Sequence, residues 1–262
     1  MPHTSLRMHG GPPYSIAVLH GGPGAPRGMA PVAHELSRDI GVLEPYQSAM
    51  SVVGQVDELH EQISGHADPP VMLIGWSWGA WLGIFYAARH PDKVKKLILI
   101  GSGPFEDDHA EVVMSTRLSR LGRDDRSEAL ELLDALNDRS SPMEHELFAR
   151  FGALMEKADT FDPLGMESDV VEFQPEVNRY VWAEARAMRT DGSLLDAART
   201  VTCPIVALHG DYDPHPYEGV FDPLSRTVRD FRFKLLAQCG HTPWNERYAR
   251  ERFFALLRQE VI

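Results

Sequence analysis

The chain has 262 residues, of which 43% are hydrophobic and 24% charged, an ordinary composition for a globular protein that can bury a sizeable core. Its formal net charge of −12 would repel phosphate backbones, so nucleic acid is not an expected partner. Two cysteines are too few for a disulfide framework, and no stretch approaches the roughly 20 apolar residues of a membrane-spanning helix. We therefore expect a cytoplasmic protein without a membrane partner.

Short apolar runs alternate with longer amphipathic stretches, which is typical of a parallel sheet wrapped by helices. The predicted strands are, in chain order, residues 15–19, 40–43, 71–74, 94–100, 205–208 and 231–236. Helical periodicity predicts helices at residues 52–63, 80–89 and 247–258. The pattern indicates an α/β fold with a mostly parallel central sheet flanked by helices.

Residues 105–199 have a different pattern. Apolar side chains recur there at helical spacing, as in Ala129, Leu132, Leu133 and Leu136, and no convincing strand appears. A helical insertion between late strands of one sheet is typical of a cap, or lid. We therefore predict a core formed by residues 1–104 and 200–262, with a helical cap over residues 105–199.

The pentapeptide Gly75-Trp76-Ser77-Trp78-Gly79 matches the G-x-S-x-G pattern, and it follows an apolar strand and precedes a helix. A strand that turns at once into a helix leaves the residue between them strained, and small neighbours allow the backbone segments to pass closely. The Ser77 hydroxyl would then stand at a helix N-terminus, where negative charge is favoured. The context predicts a nucleophile; the alternative is an ordinary glycine turn into a helix.

A glycine-rich loop, His20-Gly21-Gly22-Pro23-Gly24, follows the first predicted strand. An acyl-transfer intermediate carries an oxyanion that needs fixed N–H donors, one from the residue after the nucleophile and one from such a loop. We predict Trp78 and Gly22 as the donors, with Gly21 the less favoured choice. His20 precedes the nucleophile and is interpreted as a residue that orders the loop.

A serine nucleophile needs a base and an acid, which in this kind of fold follow it in the order Asp, then His. His241 comes directly after the last predicted strand, and we predict it as the base. Asp211 and Asp213 both follow the strand at 205–208. Asp213 is the preferred acid because it lies further round the turn, whereas Asp211 is suited to hydrogen-bond the turn itself.

The same segment offers an alternative reading as a metal cluster. His209, Asp211, Asp213 and His215 alternate along the chain, and imidazole and carboxylate groups suit divalent metals. A metal site would leave the serine turn and the glycine loop unexplained. We therefore predict no metal.

The segments 20–24, 75–79, 210–213 and 240–241 together resemble the α/β-hydrolase superfamily. The HGGPG and GWSWG pair is similar to the proline iminopeptidase (prolyl aminopeptidase) branch. The resemblance implies the α/β-hydrolase fold, with a helical cap inserted between late strands, and no cofactor. It also implies a Ser77–Asp213–His241 triad.

In that branch, acidic residues of the cap hold the free amino group of the substrate, and a Trp-Glu pair supplies one of them. The nearest match here is Trp182-Ala183-Glu184, which departs by one residue. The resemblance therefore implies Trp182 and Glu184 as substrate-binding residues. In the alternative interpretation, Trp182 packs the cap onto the core and Glu184 is a solvated helix residue.

The expected function is a serine hydrolase that acts on a small molecule or short peptide through an acyl-enzyme intermediate. The specific expectation is an aminopeptidase similar to proline iminopeptidase. A carboxylesterase or a carbon–carbon bond hydrolase of the same fold is the alternative. A non-catalytic small-molecule binding protein is the remote one, since a fold does not fix a function.

Overall fold

The computed structural model describes residues 5–26, 28–137, 144–165 and 173–261. These residues form one seven-stranded sheet in the order β1-β3-β2-β4-β5-β6-β7. Its strands are β1 (Leu6–His9), β2 (Tyr14–Leu19), β3 (Gly41–Pro45), β4 (Val71–Trp76), β5 (Val94–Ile100), β6 (Ile205–Gly210) and β7 (Phe231–Leu236). Only β1 is antiparallel to its neighbour within this sheet, so the prediction of a mostly parallel sheet is confirmed.

Helices cover both faces of the sheet. They are α1 (Ala30–Leu36), α2 (Val52–His66), α3 (Trp78–Arg89), α4 (Asp107–Ala110), α5 (Val112–Arg120), α6 (Arg123–Asn137), α7 (Glu144–Asp159), α8 (Pro175–Thr190), α9 (Ser193–Thr200), α10 (Glu218–Thr227) and α11 (Arg250–Val261). Helices α4 to α9 lie between β5 and β6, where the sequence predicts a helical insertion.

The central strands are apolar because both faces of the sheet are covered. Along β4, Leu73 joins the apolar cluster beneath α2 and α3, whereas its neighbours Met72 and Ile74 join the cluster beneath α1 and α11. β7 lies at the edge of the sheet, and its residues alternate between more and less exposed. The alternation in β7 and the continuous burial in β4 both follow from position in the sheet.

Strand β1 was not predicted. It has four residues, of which Arg7 and His9 are polar. It pairs antiparallel with β3, although β2 lies between these two strands along the chain. The last helix begins at Arg250 rather than near residue 247; before it come a short 3-10 turn over Pro243–Asn245 and the backbone pairing of Glu246 with Pro163. Both differences lie outside the nucleophile turn.

The inserted helices pack in two ways. Leu121, Ala129, Met155 and Ala158 of the α5–α7 region form a small apolar cluster of their own. By contrast, buried residues of α8 and α9, such as Val181 and Leu194, join the main core. The predicted cap boundaries at 105 and 199 stay a prediction, and the cap's residues 138–143 and 166–172 lie outside the described chain.

Cys203 and Cys239 are free thiols. Burial raises the pKa of Cys203 to about 11 and that of Cys239 further still. Because the thiolate is the reactive form, neither cysteine is suited to act as a nucleophile near neutral pH. Within the described ranges, no helix has the length and apolar character needed to cross a membrane.

Candidate active site

Ser77 forms the turn between β4 and α3 and has a left-handed backbone, with φ 52° and ψ −115°. Such a conformation costs a residue other than glycine about 1–3 kcal/mol and persists where the surroundings impose it. The backbone N–H of Ser77 donates to Ile100 O of β5 at 2.9 Å. Its side chain makes no capping hydrogen bond to α3, which leaves the hydroxyl available at the helix N-terminus.

The two glycines of the pentapeptide are required by close backbone packing. A Cβ on Gly75 would overlap the carbonyl oxygen of Gly79. A Cβ on Gly79 would overlap the carbonyl oxygen of Leu19, at the end of β2. The spacing of the motif therefore reflects how tightly β4, α3 and β2 converge at Ser77.

His241 and Asp213 form a buried pair in which His241 Nδ1 lies 2.8 Å from Asp213 Oδ2. Asp213 follows β6 and His241 follows β7. The pair lies against Gly101, where an added Cβ would be 3.0 Å from His241 Nδ1 and 3.1 Å from Asp213 Oδ2. Gly101 directly follows Ile100, whose carbonyl binds the N–H of Ser77. The fold thus brings the three predicted residues to one end of the sheet.

The two candidate aspartates have different partners. Asp213 contacts His241, whereas Asp211 is exposed and accepts a hydrogen bond from Cys239 N at 3.2 Å. Asp211 therefore braces the loop that precedes the histidine, and this partner lies after β7 rather than in the turn after β6 that the sequence suggested. Only Asp213 is placed to orient His241.

Three histidines surround Asp213. Besides His241, His215 Nδ1 lies 2.7 Å from Asp213 Oδ1, and His209 Nε2 lies 3.6 Å from Asp213 Oδ2. Burial alone would raise the pKa of Asp213, but the histidines hold it well below the usual range. Burial lowers the pKa of His215 to about 4 against the opposing effect of Asp213, so this ring is neutral at pH 7.

The electrostatics of His241 differ from those of His215. Burial would lower the pKa of His241, but the Asp213 charge and hydrogen bond outweigh it, and the pKa is raised. His215 was not predicted to be catalytic, although it lies only two residues after Asp213. Its ring lies 4.7 Å from the His241 ring, between centroids.

Ligand atoms of Asp213, His215 and His241 lie within 4.8 Å of one another, so among the described residues these three form a group that could hold a metal ion. Both histidines, however, already share the two oxygens of Asp213. The alternating metal pattern considered from the sequence is not assembled, since Asp211 is turned toward Cys239 N.

The glycine-rich loop lies beside the serine turn. Gly22 has φ 46° and opens a tight turn in which Ala25 N donates to Gly22 O at 2.9 Å. Trp78 is the first residue of α3, a position whose N–H has no partner within the helix. Gly22 and Trp78 thus remain our predicted oxyanion donors.

The side chains of His20 and Trp76 support the first residues of this loop. His20 is buried and its Nδ1 lies 2.9 Å from Gly21 O, a contact suited to ordering the loop. A Cβ on Gly21 would come within 2.6 Å of the Trp76 ring. Trp76 also donates from Nε1 to His241 O at 2.9 Å, so it links the loop to the histidine. This linking role of Trp76 was not predicted from the sequence.

Trp182 and Glu184, predicted to bind substrate, are engaged with other parts of the protein. Glu184 Oε2 accepts a hydrogen bond from Val52 N at 2.7 Å, at the N-terminus of α2. Trp182 stacks on Trp81 with 5.5 Å between ring centroids and meets Trp78 edge-on at 6.3 Å. These contacts match the packing interpretation for Trp182, and they give Glu184 a capping role that neither interpretation included.

Glu246 is a buried carboxylate that the sequence analysis did not select. Its Oε1 accepts hydrogen bonds from Gly240 N and Phe161 N, and its Oε2 accepts one from Asp162 N, each at 2.8 Å. It therefore ties the residue before His241 to the chain that follows α7. No short-range motif marks this role, because two of its partners lie more than 80 residues away.

Residues 23–242 match the alpha/beta hydrolase fold family, and the chain belongs to this family. It is 27% identical over 195 residues to the pimeloyl-[acyl-carrier protein] methyl ester esterase of Chromobacterium violaceum, covering 72% of this chain and 69% of that protein. It is 29% identical over 118 residues to a proline iminopeptidase of Arabidopsis thaliana, covering 38% and 30%, respectively.

Solved structures show the same fold at lower identity. VinJ superposes with a TM-score of 0.67 at 18% identity, covering 98% of this chain and 93% of VinJ. Proline iminopeptidase from Mycobacterium smegmatis superposes with a TM-score of 0.64 at 19% identity, with coverages of 98% and 93%. These similarities, at 18% and 19% identity, support the fold.

Proposed function

We propose that this hydrolase cleaves carboxylic esters through Ser77, with His241 as general base and Asp213 as the acid that orients the histidine. The observation that carries the proposal is the 2.8 Å contact between His241 Nδ1 and Asp213 Oδ2, beside a serine held at φ 52°. Nucleophile, base and orienting acid are the parts that covalent acyl transfer requires.

In this proposal, Asp213 fixes the proton on His241 Nδ1, so that Nε2 is free to accept the proton of Ser77. The serine oxygen bonds to the ester carbonyl carbon, and the carbonyl oxygen becomes an oxyanion. His241 then gives its proton to the departing alcohol, which leaves an acyl group on Ser77. His241 then takes a proton from a water molecule, whose oxygen attacks the acyl carbon. The bond from the acyl carbon to the Ser77 oxygen breaks, and His241 returns the proton to that oxygen, which releases the carboxylic acid and the free serine.

The charges around His241 favour these proton transfers. Asp213 stays ionised because its pKa is held well below the usual range, and its charge raises the pKa of His241. A raised pKa means that the imidazolium formed during attack is stabilised. The N–H groups of Gly22 and Trp78 would stabilise the oxyanion at the same moment.

An ester fits this site better than an aminoacyl amide. Glu184, the carboxylate expected to bind a substrate amine, instead accepts the N–H of Val52. Several curated relatives that match over most of the chain are named as methyl ester esterases, and the iminopeptidase relative matches over 38% of it. Both facts favour the esterase over the aminopeptidase.

The substrate prediction is tested with short-chain nitrophenyl esters beside amino-acid naphthylamides, including proline naphthylamide. Wild-type protein is expected to hydrolyse the esters and to leave the naphthylamides intact. Glu184→Gln is expected to lower the thermal midpoint by a few degrees, because a carboxylate at a helix N-terminus contributes about 0.3–1 kcal/mol. Its KM for the esters should stay within about twofold of wild type.

Glu176→Gln is the matched control, since Glu176 is an exposed carboxylate on the same helix. Because Glu176 lies in the first turn of α8, its substitution is expected to lower the thermal midpoint by a similar amount, but it should leave the kinetics unchanged. Cleavage of proline naphthylamide, with a KM that rises roughly tenfold or more in Glu184→Gln alone, would contradict the esterase proposal. That result would restore an amine-binding role for Glu184.

A further inference from the structure

Helix α8 packs against both backbone segments that carry the proposed oxyanion donors. We propose that Asn178 of this helix is a positioning residue that holds the loop 21–24, so that the N–H of Gly22 faces the developing oxyanion. The inference rests on the proposed function, because it concerns the same reaction. Through Asn178, the insertion between β5 and β6 would influence the rate of the chemical step.

The carbonyl groups of Pro23 and Gly24 are both bound by the start of α8. Asn178 Nδ2 donates to Pro23 O at 3.0 Å, and Gln174 N donates to Gly24 O at 2.8 Å. Gly24 has φ 77°, and a Cβ there would lie 2.5 Å from Gln174 O, so the loop lies directly against the helix. Gly22 begins this turn, and fixing the two carbonyls after it restrains the direction of its N–H.

The loop is also supported on its other side. The Trp76 ring fills the space where a Cβ of Gly21 would lie. The loop is therefore held between an indole ring and the start of α8. Removing the single hydrogen bond from Asn178 leaves this packing in place, so we expect such a variant to fold.

The second donor segment contacts the same helix one turn further along. Asn178 and Trp182 are four residues apart and share a helix face. Trp182 contacts the ring of Trp78, and the backbone N–H of Trp78 is the other proposed oxyanion donor. Glu184 in turn fixes α8 to Val52 of α2. One helix thus restrains both donor segments, and its displacement would disturb both.

The expected effect follows from what oxyanion donors contribute. Such a donor acts when it lies about 2.7–3.1 Å from the oxyanion, and removing one costs about 10²–10³ in kcat. Loss of the Asn178 hydrogen bond leaves the N–H of Gly22 in place but orients it less accurately toward the oxyanion. We therefore expect a smaller loss, roughly tenfold, confined to the transition state.

The test uses Asn178→Ala and the isosteric Asn178→Asp, which keeps the packing but removes the donor. Both are assayed with a nitrophenyl ester and with phenylboronic acid, whose tetrahedral serine adduct places an oxygen in the hole. We expect kcat to fall about tenfold in Asn178→Ala, at least as much in Asn178→Asp, and KM to stay within about twofold. The inhibition constant of the boronic acid should rise by the same factor as kcat/KM falls.

Glu176→Gln, at an exposed site on the same helix, serves again as the control and should keep wild-type kcat, KM and boronic acid inhibition. If both folded Asn178 variants keep kcat and boronic acid inhibition within twofold of wild type, the inference is wrong. A rise in KM with unchanged kcat would instead place Asn178 in ground-state substrate binding and would also overturn it. A wild-type protein that neither hydrolyses esters nor binds the boronic acid would refute the proposed function itself.

Discussion

Replacing Ser77 by alanine is expected to lower kcat on a nitrophenyl ester by about 10⁶-fold, because triad members act as a unit and the serine oxygen forms the covalent bond. The fold should persist. The Ser77 side chain makes no capping bond to α3, and alanine occupies the same turn with one atom fewer. The measurement is steady-state kinetics together with circular dichroism and thermal unfolding.

Ser102→Ala provides the control for this experiment. Ser102 is another buried serine close to a strand end, and its hydroxyl donates to Gly103 O. Its removal should leave kcat within about tenfold of wild type, since its hydroxyl binds the carbonyl oxygen of the next residue. A Ser77→Ala protein that retained a hundredth or more of wild-type kcat would contradict Ser77 as nucleophile.

Asp213→Asn is expected to lower kcat by about 10⁴-fold, because an amide can hold His241 in the wrong tautomer. Asp211→Asn should cost less than about tenfold, since the Asp211 carboxylate accepts its hydrogen bond from the backbone N–H of Cys239 and not from His241. The two substitutions are chemically identical and lie two residues apart. The relative sizes of the two losses in kcat therefore distinguish an acid that orients His241 from a residue that braces the loop.

The pH profile gives a second readout for the same pair. Activity requires neutral His241, so kcat/KM should fall as pH decreases through the pKa of this residue, which is raised in wild-type protein. Asp213→Asn removes the charge that raises this pKa, and the acid limb should move to lower pH. Asp211→Asn should leave the limb in place. The reverse ranking, or an unmoved limb in Asp213→Asn, would mean that Asp213 does not orient the histidine.

The serine turn could be predicted from sequence because its causes are local. Gly75 is required by its contact with Gly79 O inside the turn, and the strand before it is apolar because it is buried. The contact that requires Gly79, with Leu19 O of β2, is visible only in the fold. The choice of Asp213 over Asp211 also depended on a local feature, the position in the turn after β6. Local sequence therefore suggested which side chains meet at this end of the sheet.

The residues of α8 could not be interpreted in the same way. The partner of Glu184 is Val52, 132 positions away, and the partner of Asn178 is Pro23, 155 positions away. Such contacts depend on how the insertion packs on the core, which no local pattern specifies. Strand β1 was missed for a related reason. Its four residues are too few to show a strand pattern, and it is recognised as a strand by its pairing with β3.

The most direct test of the account is labelling with a phosphonofluoridate probe followed by peptide mapping. We expect one label per chain, at Ser77 within the tryptic peptide that spans residues 39–89, and loss of labelling in His241→Ala. The other serines of that peptide, such as Ser48 and Ser51, should remain unmodified in fragment spectra. Labelling at a different serine, or none in folded wild-type protein, would contradict Ser77 as the nucleophile and His241 as its base.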